Sequence, residues 1–126
     1  MDRAWFLLKD PHWTLLWWNI SEQTRARLFG SFAISNRAYL LRVHDVTDIL
    51  FDGNNSHFFL EIEAAETSDH WYIRLPEAGR VYCAETGFRD DQGRFVSAAR
   101  SNALWMPPDA PDMSHREPNW SCIDLG

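Results

Sequence analysis

From residue 57 to residue 106 the sequence alternates apolar and polar side chains in short runs, each ended by a turn signal. HFFLEIEA (57–64) sends Phe58, Leu60, Ile62 and Ala64 one way and Phe59, Glu61 and Glu63 the other. HWYIRL (70–75) separates Trp71, Ile73 and Leu75 from His70, Tyr72 and Arg74. RVYCAETGF (80–88) puts Tyr82, Ala84 and Thr86 on one face, and RFVSAARSNALWM (94–106) is a last strand region with a bend or bulge expected near Ser101–Asn102. A period of two is the repeat of a strand. DGNN (52–55), PEAG (76–79) and DDQG (90–93) supply the turns between them. Strands at a spacing of roughly 8–12 residues predict an all-β sandwich.

The first third fits this frame. AWFLL (4–8) is an edge strand or a lead-in, and KDP (9–11) turns the chain, because Pro11 fixes its own φ and disfavours helix at Asp10. HWTLLWWNI (12–20) reads as a strand that is apolar on both faces. SEQTRARLFG (21–30) is the one helix, with Ser21 as N-cap and Gly30 as its end. RAYLLRVHDVT (37–47) returns to strand, with Tyr39, Leu41 and Val43 opposite Leu40, Arg42 and His44.

Three tryptophans crowd the second strand. Trp13 and Trp17 share a side with Leu15, and Trp18 shares the other with Leu16 and Ile20. The expectation is scaffold: one face in the sandwich core, the other under the helix, with Trp13 half exposed at the strand start. Exposed aromatic anchors are then sought at Phe59, Tyr72, Trp105, Trp120 and Trp13.

Composition excludes several jobs. The chain has 126 residues, 45% of them hydrophobic, enough for one domain with a modest core. Its formal net charge is −6, and Lys9 is the only lysine. It lacks the basic stripe that nucleic acid requires, and an anionic membrane surface is disfavoured for the same reason. MDRAWFLLKD is neither a signal segment nor a membrane span. Cys83 lies in a strand pattern and is expected to be a buried free thiol, while Cys122 sits in a polar tail; a cytoplasmic location is expected. Seven Trp and eight Phe raise the weight of binding, since large aromatics serve interfaces as well as cores.

Catalytic patterns are weak. Glu61 and Glu63 lie about 7 Å apart along a strand, a separation glycosidases use, but the expected reading is a solvated outer face, since nothing marks a cleft around them. The five histidines (12, 44, 57, 70 and 115) show no metal-ligand spacing. Ser101 lacks a nucleophile elbow, and its hydroxyl, with Asn102, is expected to satisfy local backbone groups. No phosphate loop is present. No catalytic residue, metal or cofactor is assigned.

Several resemblances add to this reading. Leu75-Pro76 followed by Tyr82 resembles the corner of fibronectin type III-like sandwiches, with spacing one residue off that pattern, and RSNALWMP resembles their final strand. The helix, the strand carrying Arg42 and a following H-x-Y-I resemble an SH2 layout, which would make Arg42 a phospho-ligand contact; the alternative pairs Arg42 with Glu61 or Glu63 across strands. The ordered series K-D-P-x-W (9–13), W-W (17–18), L-L-R-V-H-D-V-T (40–47), W-Y-I-R-L-P-x-x-G-R-V-Y (71–82), G-F-x-x-x-x-G-R-F (87–95) and R-S-N-x-x-x-x-P (100–107) resembles the bacterial domain of unknown function 4912 family. That resemblance implies a bacterial, non-secreted, β-rich domain and carries over no functional residues. Relatives resemble partners of glucan-processing enzymes in gene context, which points to carbohydrate.

The sequence therefore predicts an immunoglobulin or fibronectin type III-like β-sandwich over 1–106, with one short helix between early strands and a Pro-rich tail over 107–126. The expected function is non-catalytic binding: a protein partner or homodimer anchored by Phe59, Tyr72 and Trp105 or by Trp120, with a glucan as the competing ligand. Neither nucleic acid nor membrane is expected as a partner.

Overall fold

The computed structural model describes residues 2–10 and 12–108. Seven strands and one helix follow in the order β1 (Arg3–Asp10), β2 (Trp13–Asn19), α1 (Glu22–Ser31), β3 (Tyr39–Asp45), β4 (Phe59–Ala64), β5 (His70–Arg74), β6 (Arg80–Arg89) and β7 (Phe95–Met106). They form two antiparallel sheets, β1-β2-β5 and β4-β3-β6-β7. Residues 109–126, including Trp120 and Cys122, lie outside the described part of the chain.

The period-two alternation sets which side chains fill the space between the sheets. Phe6, Leu16, Trp18 and Ile73 from one sheet meet Leu41, Val43, Tyr82, Ala84, Phe88 and Met106 from the other. Tyr82 closes a corner of the kind its spacing suggested. Its hydroxyl donates to the Glu77 carbonyl at 2.8 Å and accepts from the Glu77 N–H at 3.3 Å. Such a bond satisfies a phenol that is otherwise fully buried and fixes the chain entering β6.

α1 starts where Ser21 accepts a hydrogen bond from the Thr24 N–H, as an N-cap should. It runs past Gly30 and ends at Phe32, whose N–H donates to Leu28 O. The helix does not cover the outer face of β2, as the tryptophan reading supposed. Its Phe29 meets Phe88 edge-on, and Arg25 donates to the Tyr39 hydroxyl at 2.7 Å, so it packs on the side of the sandwich core.

The β6–β7 pairing is irregular twice. Ser101 and Asn102 together oppose Ala84, the bulge expected there, and Ala98 is an extra residue between Ala99 and Ser97. Ser101 Oγ accepts the Ala84 N–H at 2.9 Å and donates to the Asn102 carbonyl at 2.8 Å. Asn102 reaches across to β1, accepting the Phe6 N–H at 2.9 Å and donating to the Phe6 carbonyl at 3.0 Å. It thus imitates a strand partner and ties the two sheets along one side. Next to the second irregularity the strands come so close that a Cβ on Gly87 would stand 2.0 Å from Val96 O.

The outer face of the larger sheet is partly covered. Residues 46–58 fold back over it, and Val46, Phe51, Val81 and Cys83 form a second small core with Ile49, Ala103 and Trp105 packed against it. Burying Phe51 completely contributes about 2–3 kcal/mol toward holding this loop down. Cys83 is buried but is disulfide-bonded rather than a free thiol, which corrects the expectation from its strand setting. A thiol in an apolar strand and half of a disulfide look alike in sequence.

Candidate functional site

Antiparallel pairing sets the outer face of the β1-β2-β5 sheet in rows. Trp5 lies opposite Trp17 and Trp17 opposite His70; Leu7 lies opposite Leu15 and Leu15 opposite Tyr72; Trp13 lies opposite Arg74. No helix or loop of the described chain buries these side chains. Trp5 is 36% exposed, Leu7 46%, Trp13 43%, Trp17 47% and Tyr72 52%. Scaling about 200 Å² for each large aromatic by these fractions gives a patch of roughly 400–500 Å². That is the size of the largest apolar patch on a typical monomeric domain, a patch that is often functional.

The face corrects the reading of the opening tryptophans. Trp18 is core, 2% exposed, with its ring edge-on to Tyr39 at 5.4 Å. Trp17 lies outside, with Trp13. Trp5 was missed as a surface group, although its signal was present. β1 ends at Asp10 and β2 starts at Trp13, so the two pair as neighbours and β1 brings its alternate residues beside the β2 tryptophans. The rings of Trp5 and Trp17 are 5.5 Å apart but inclined by 52°, so they make a ridged surface rather than a flat one. Arg3 and Arg74 fall at positions in phase with this face.

The other predicted anchors lie elsewhere. Tyr72 belongs to the aromatic face, but Phe59 and Trp105 do not share it. Phe59 is exposed on β4 of the larger sheet, and Trp105 is partly buried in the second core. Trp120 is outside the described residues.

Arg42 sits in a charged row across the larger sheet: Glu61, Arg42, Glu85 and Arg100 occupy neighbouring positions on β4, β3, β6 and β7. Its Nε donates to Glu61 at 2.7 Å, and its guanidinium lies between the rings of Phe59 and Phe95, at 4.3 and 4.6 Å. The cross-strand pairing with Glu61 is therefore what forms, and the two-sheet sandwich replaces the SH2 layout. Burial would raise the Glu61 pKa, but the hydrogen bonds and charges of Arg42 and Arg89 hold it below the usual carboxylate range.

Two residues along β3, His44 is buried between Glu85 and Ser56. Nε2 lies 3.0 Å from Glu85 Oε1, and Nδ1 lies 3.0 Å from Ser56 Oγ. The arrangement is satisfied when the Nε2–H donates to the carboxylate and the Ser56 hydroxyl donates to Nδ1. Glu85 also accepts from Ser97 at 2.8 Å and pairs with Arg100 at 3.5 Å. Burial works to raise its pKa; the His44 and Ser97 hydrogen bonds, with the nearby cations, lower it overall. Phe51 lies over the imidazole at 4.5 Å between centroids. The trio links the sheet to the covering loop from three segments distant in sequence.

A cleft of about 190 Å³ opens beside this trio, lined by Arg42, His44, Ser56, Phe59 and the loop residues Gly53, Asn54 and His57. Among the described residues no cluster of three or more His, Cys, Asp or Glu could hold a metal, and no helix is long and apolar enough to cross a membrane.

Two sheets of three and four strands, joined with a tyrosine corner, define a fibronectin type III-like β-sandwich. Solved structures agree on the fold. The fibronectin type III domain of human collagen XX matches with a TM-score of 0.50 at 8% identity, covering 82% of this chain and 90% of that one. The FN5 domain of Drosophila Lar matches with a TM-score of 0.50 at 9% identity, covering 86% and 97%. The chain belongs to the family described as Domain of unknown function (DUF4912), which it matches over residues 1–117. No curated protein sequence matches it.

Proposed function

We propose that this domain is a non-catalytic protein-interaction module whose docking surface is the outer face of β1-β2-β5. One observation carries the reading: five large apolar side chains from three strands, Trp5, Leu7, Trp13, Trp17 and Tyr72, stand exposed side by side. The partner proposed is a second copy of this chain. A patch of roughly 400–500 Å² is about half or a little more of the about 800 Å² per partner that a stable interface buries, so an apolar centre of this size needs only a polar rim to complete it. A two-fold axis through the patch would place each copy's rings on the other's. The inclination between Trp5 and Trp17 supports a protein over a glucan, because sugar stacking uses flat aromatic platforms.

The test is light scattering of the free protein, with the double variant Trp13→Ser, Trp17→Ser beside it. A dimer mass that falls to monomer in the variant, with the melting temperature kept, supports the proposal. A monomeric wild type overturns it; if its tryptophan fluorescence also shifts saturably with α-glucan oligosaccharides, the face is a carbohydrate platform instead.

A further inference from the structure

We infer that the cleft between β3 and the 52–59 loop is a binding site for a carboxylate. It lies on the opposite sheet from the aromatic face, and the inference does not rest on the dimer. Arg42 lines the cleft already fixed in place, with Glu61 held by its Nε and a phenyl ring on each side. Neither of its Nη atoms donates to a described residue. A guanidinium so anchored offers two parallel N–H donors, the geometry that matches the two oxygens of a carboxylate.

Charge sets the class of anion. On this face Arg42, Arg89 and Arg100 pair with two carboxylates, Glu61 with Arg42 and Arg89 and Glu85 with Arg100, while Glu63, farther along β4, accepts from Asn36. The nearest loop acid, Asp52, is engaged by the Asn54 N–H at 2.8 Å. A single guanidinium fork, with the neighbouring cations already paired to Glu61 and Glu85, suits a monoanion better than a phosphate dianion. The opposite wall is formed by Ser56, whose hydroxyl proton is committed to His44, and His57, whose Nε2 is engaged by the Thr47 carbonyl at 2.8 Å and which therefore keeps one orientation. The exposed ring of Phe59 gives the body of the ligand an apolar contact. A volume of about 190 Å³ exceeds what a bare ion needs and leaves space for such a body.

The experiment is an amide-resolved NMR titration of the whole chain at constant ionic strength. The probes are sodium benzoate, a blocked glutamyl amide and inorganic phosphate. Benzoate stands for a free organic acid and the glutamyl amide for an acidic side chain of a protein; the tighter of the two identifies the source. Saturable shifts centred on Gly53, Asn54, Ser56 and Phe59 are expected for the carboxylates. Arg42→Gln should weaken them at least about tenfold, as loss of a charge-assisted contact does. Arg42→Lys keeps the charge and a partner for Glu61 but lacks the fork, so it should weaken binding with the fold retained. Absence of saturation, equal binding by Arg42→Lys, or tighter binding of phosphate than of either carboxylate would overturn the inference.

Discussion

Replacing Asn102 by alanine should cost more than any surface substitution of similar size. Asn102 is only half-buried, yet its amide satisfies both backbone groups of Phe6, whose own side chain is fully buried. Alanine leaves that N–H and that carbonyl without their partner. Each stranded buried group costs about 1–3 kcal/mol. Partial access of water at a half-buried site puts the pair near the lower half of the range, about 2–4 kcal/mol together. For a domain of this size each kcal/mol moves the melting temperature by about 4 °C, so a fall of about 8–16 °C is expected. The assay is calorimetric melting combined with hydrogen exchange at the Phe6 amide, which should lose protection selectively. Asn36→Ala is the control, because its amide meets only exposed partners, donating to Glu63 at 3.2 Å and accepting from the Ala38 N–H at 3.0 Å, and should cost no more than about 1 kcal/mol. A fall of less than about 2 °C, or unchanged protection at Phe6, would refute the idea that one side chain stands in for a strand along β1.

Two further outcomes follow from buried polar groups. Tyr82→Phe removes the hydroxyl that bonds Glu77 and should lower stability by about 1–3 kcal/mol, read from urea unfolding; an unchanged midpoint would remove the corner from the list of stabilising contacts. Glu85 and Asp45 both have pKa values lowered in the folded state: burial alone would raise them, but His44 and Ser97 act on Glu85, and Arg80 and Thr47 on Asp45, to bring them down. Their contribution is complete above the ordinary carboxylate range near pH ~4 and is lost as pH falls through the lower folded values. Urea midpoints should therefore drop steeply below pH ~4, and Glu85→Gln should flatten that drop while lowering stability at neutral pH. A pH profile unaltered by Glu85→Gln would contradict this assignment.

The strand positions and the inward faces were legible because alternation is a local signal. Phe58, Leu60 and Ile62 against Glu61 and Glu63, or Ile73 against Tyr72, declare their sides without help from distant residues. The corner at Tyr82 was legible for a similar reason, since five residues separate the two ends of its hydrogen bond. What alternation does not encode is whether an outer face is covered. Trp13 and Trp17 were correctly placed on one side of β2, but the helix that might have buried them packs elsewhere. The opposite error occurred at Trp105, expected as an exposed anchor, where a loop read as a turn folds over the larger sheet and brings Phe51 with it. His44, Ser56 and Glu85 meet through that loop, and no spacing within the sequence announces the meeting. Cys83 gave no local sign of its bonded state.

Gly87 sets a different kind of limit. The aromatic face can drift, since each of its side chains stands apart from the core and a lost ring alters what the domain holds rather than whether it folds. At position 87 the neighbouring carbonyl already occupies the space where any side chain would begin. Chains descended from a common ancestor with this β6–β7 alignment must therefore keep glycine there, even after their tryptophans have been exchanged. A descendant carrying any other residue at that point has also altered the pairing of its last two strands.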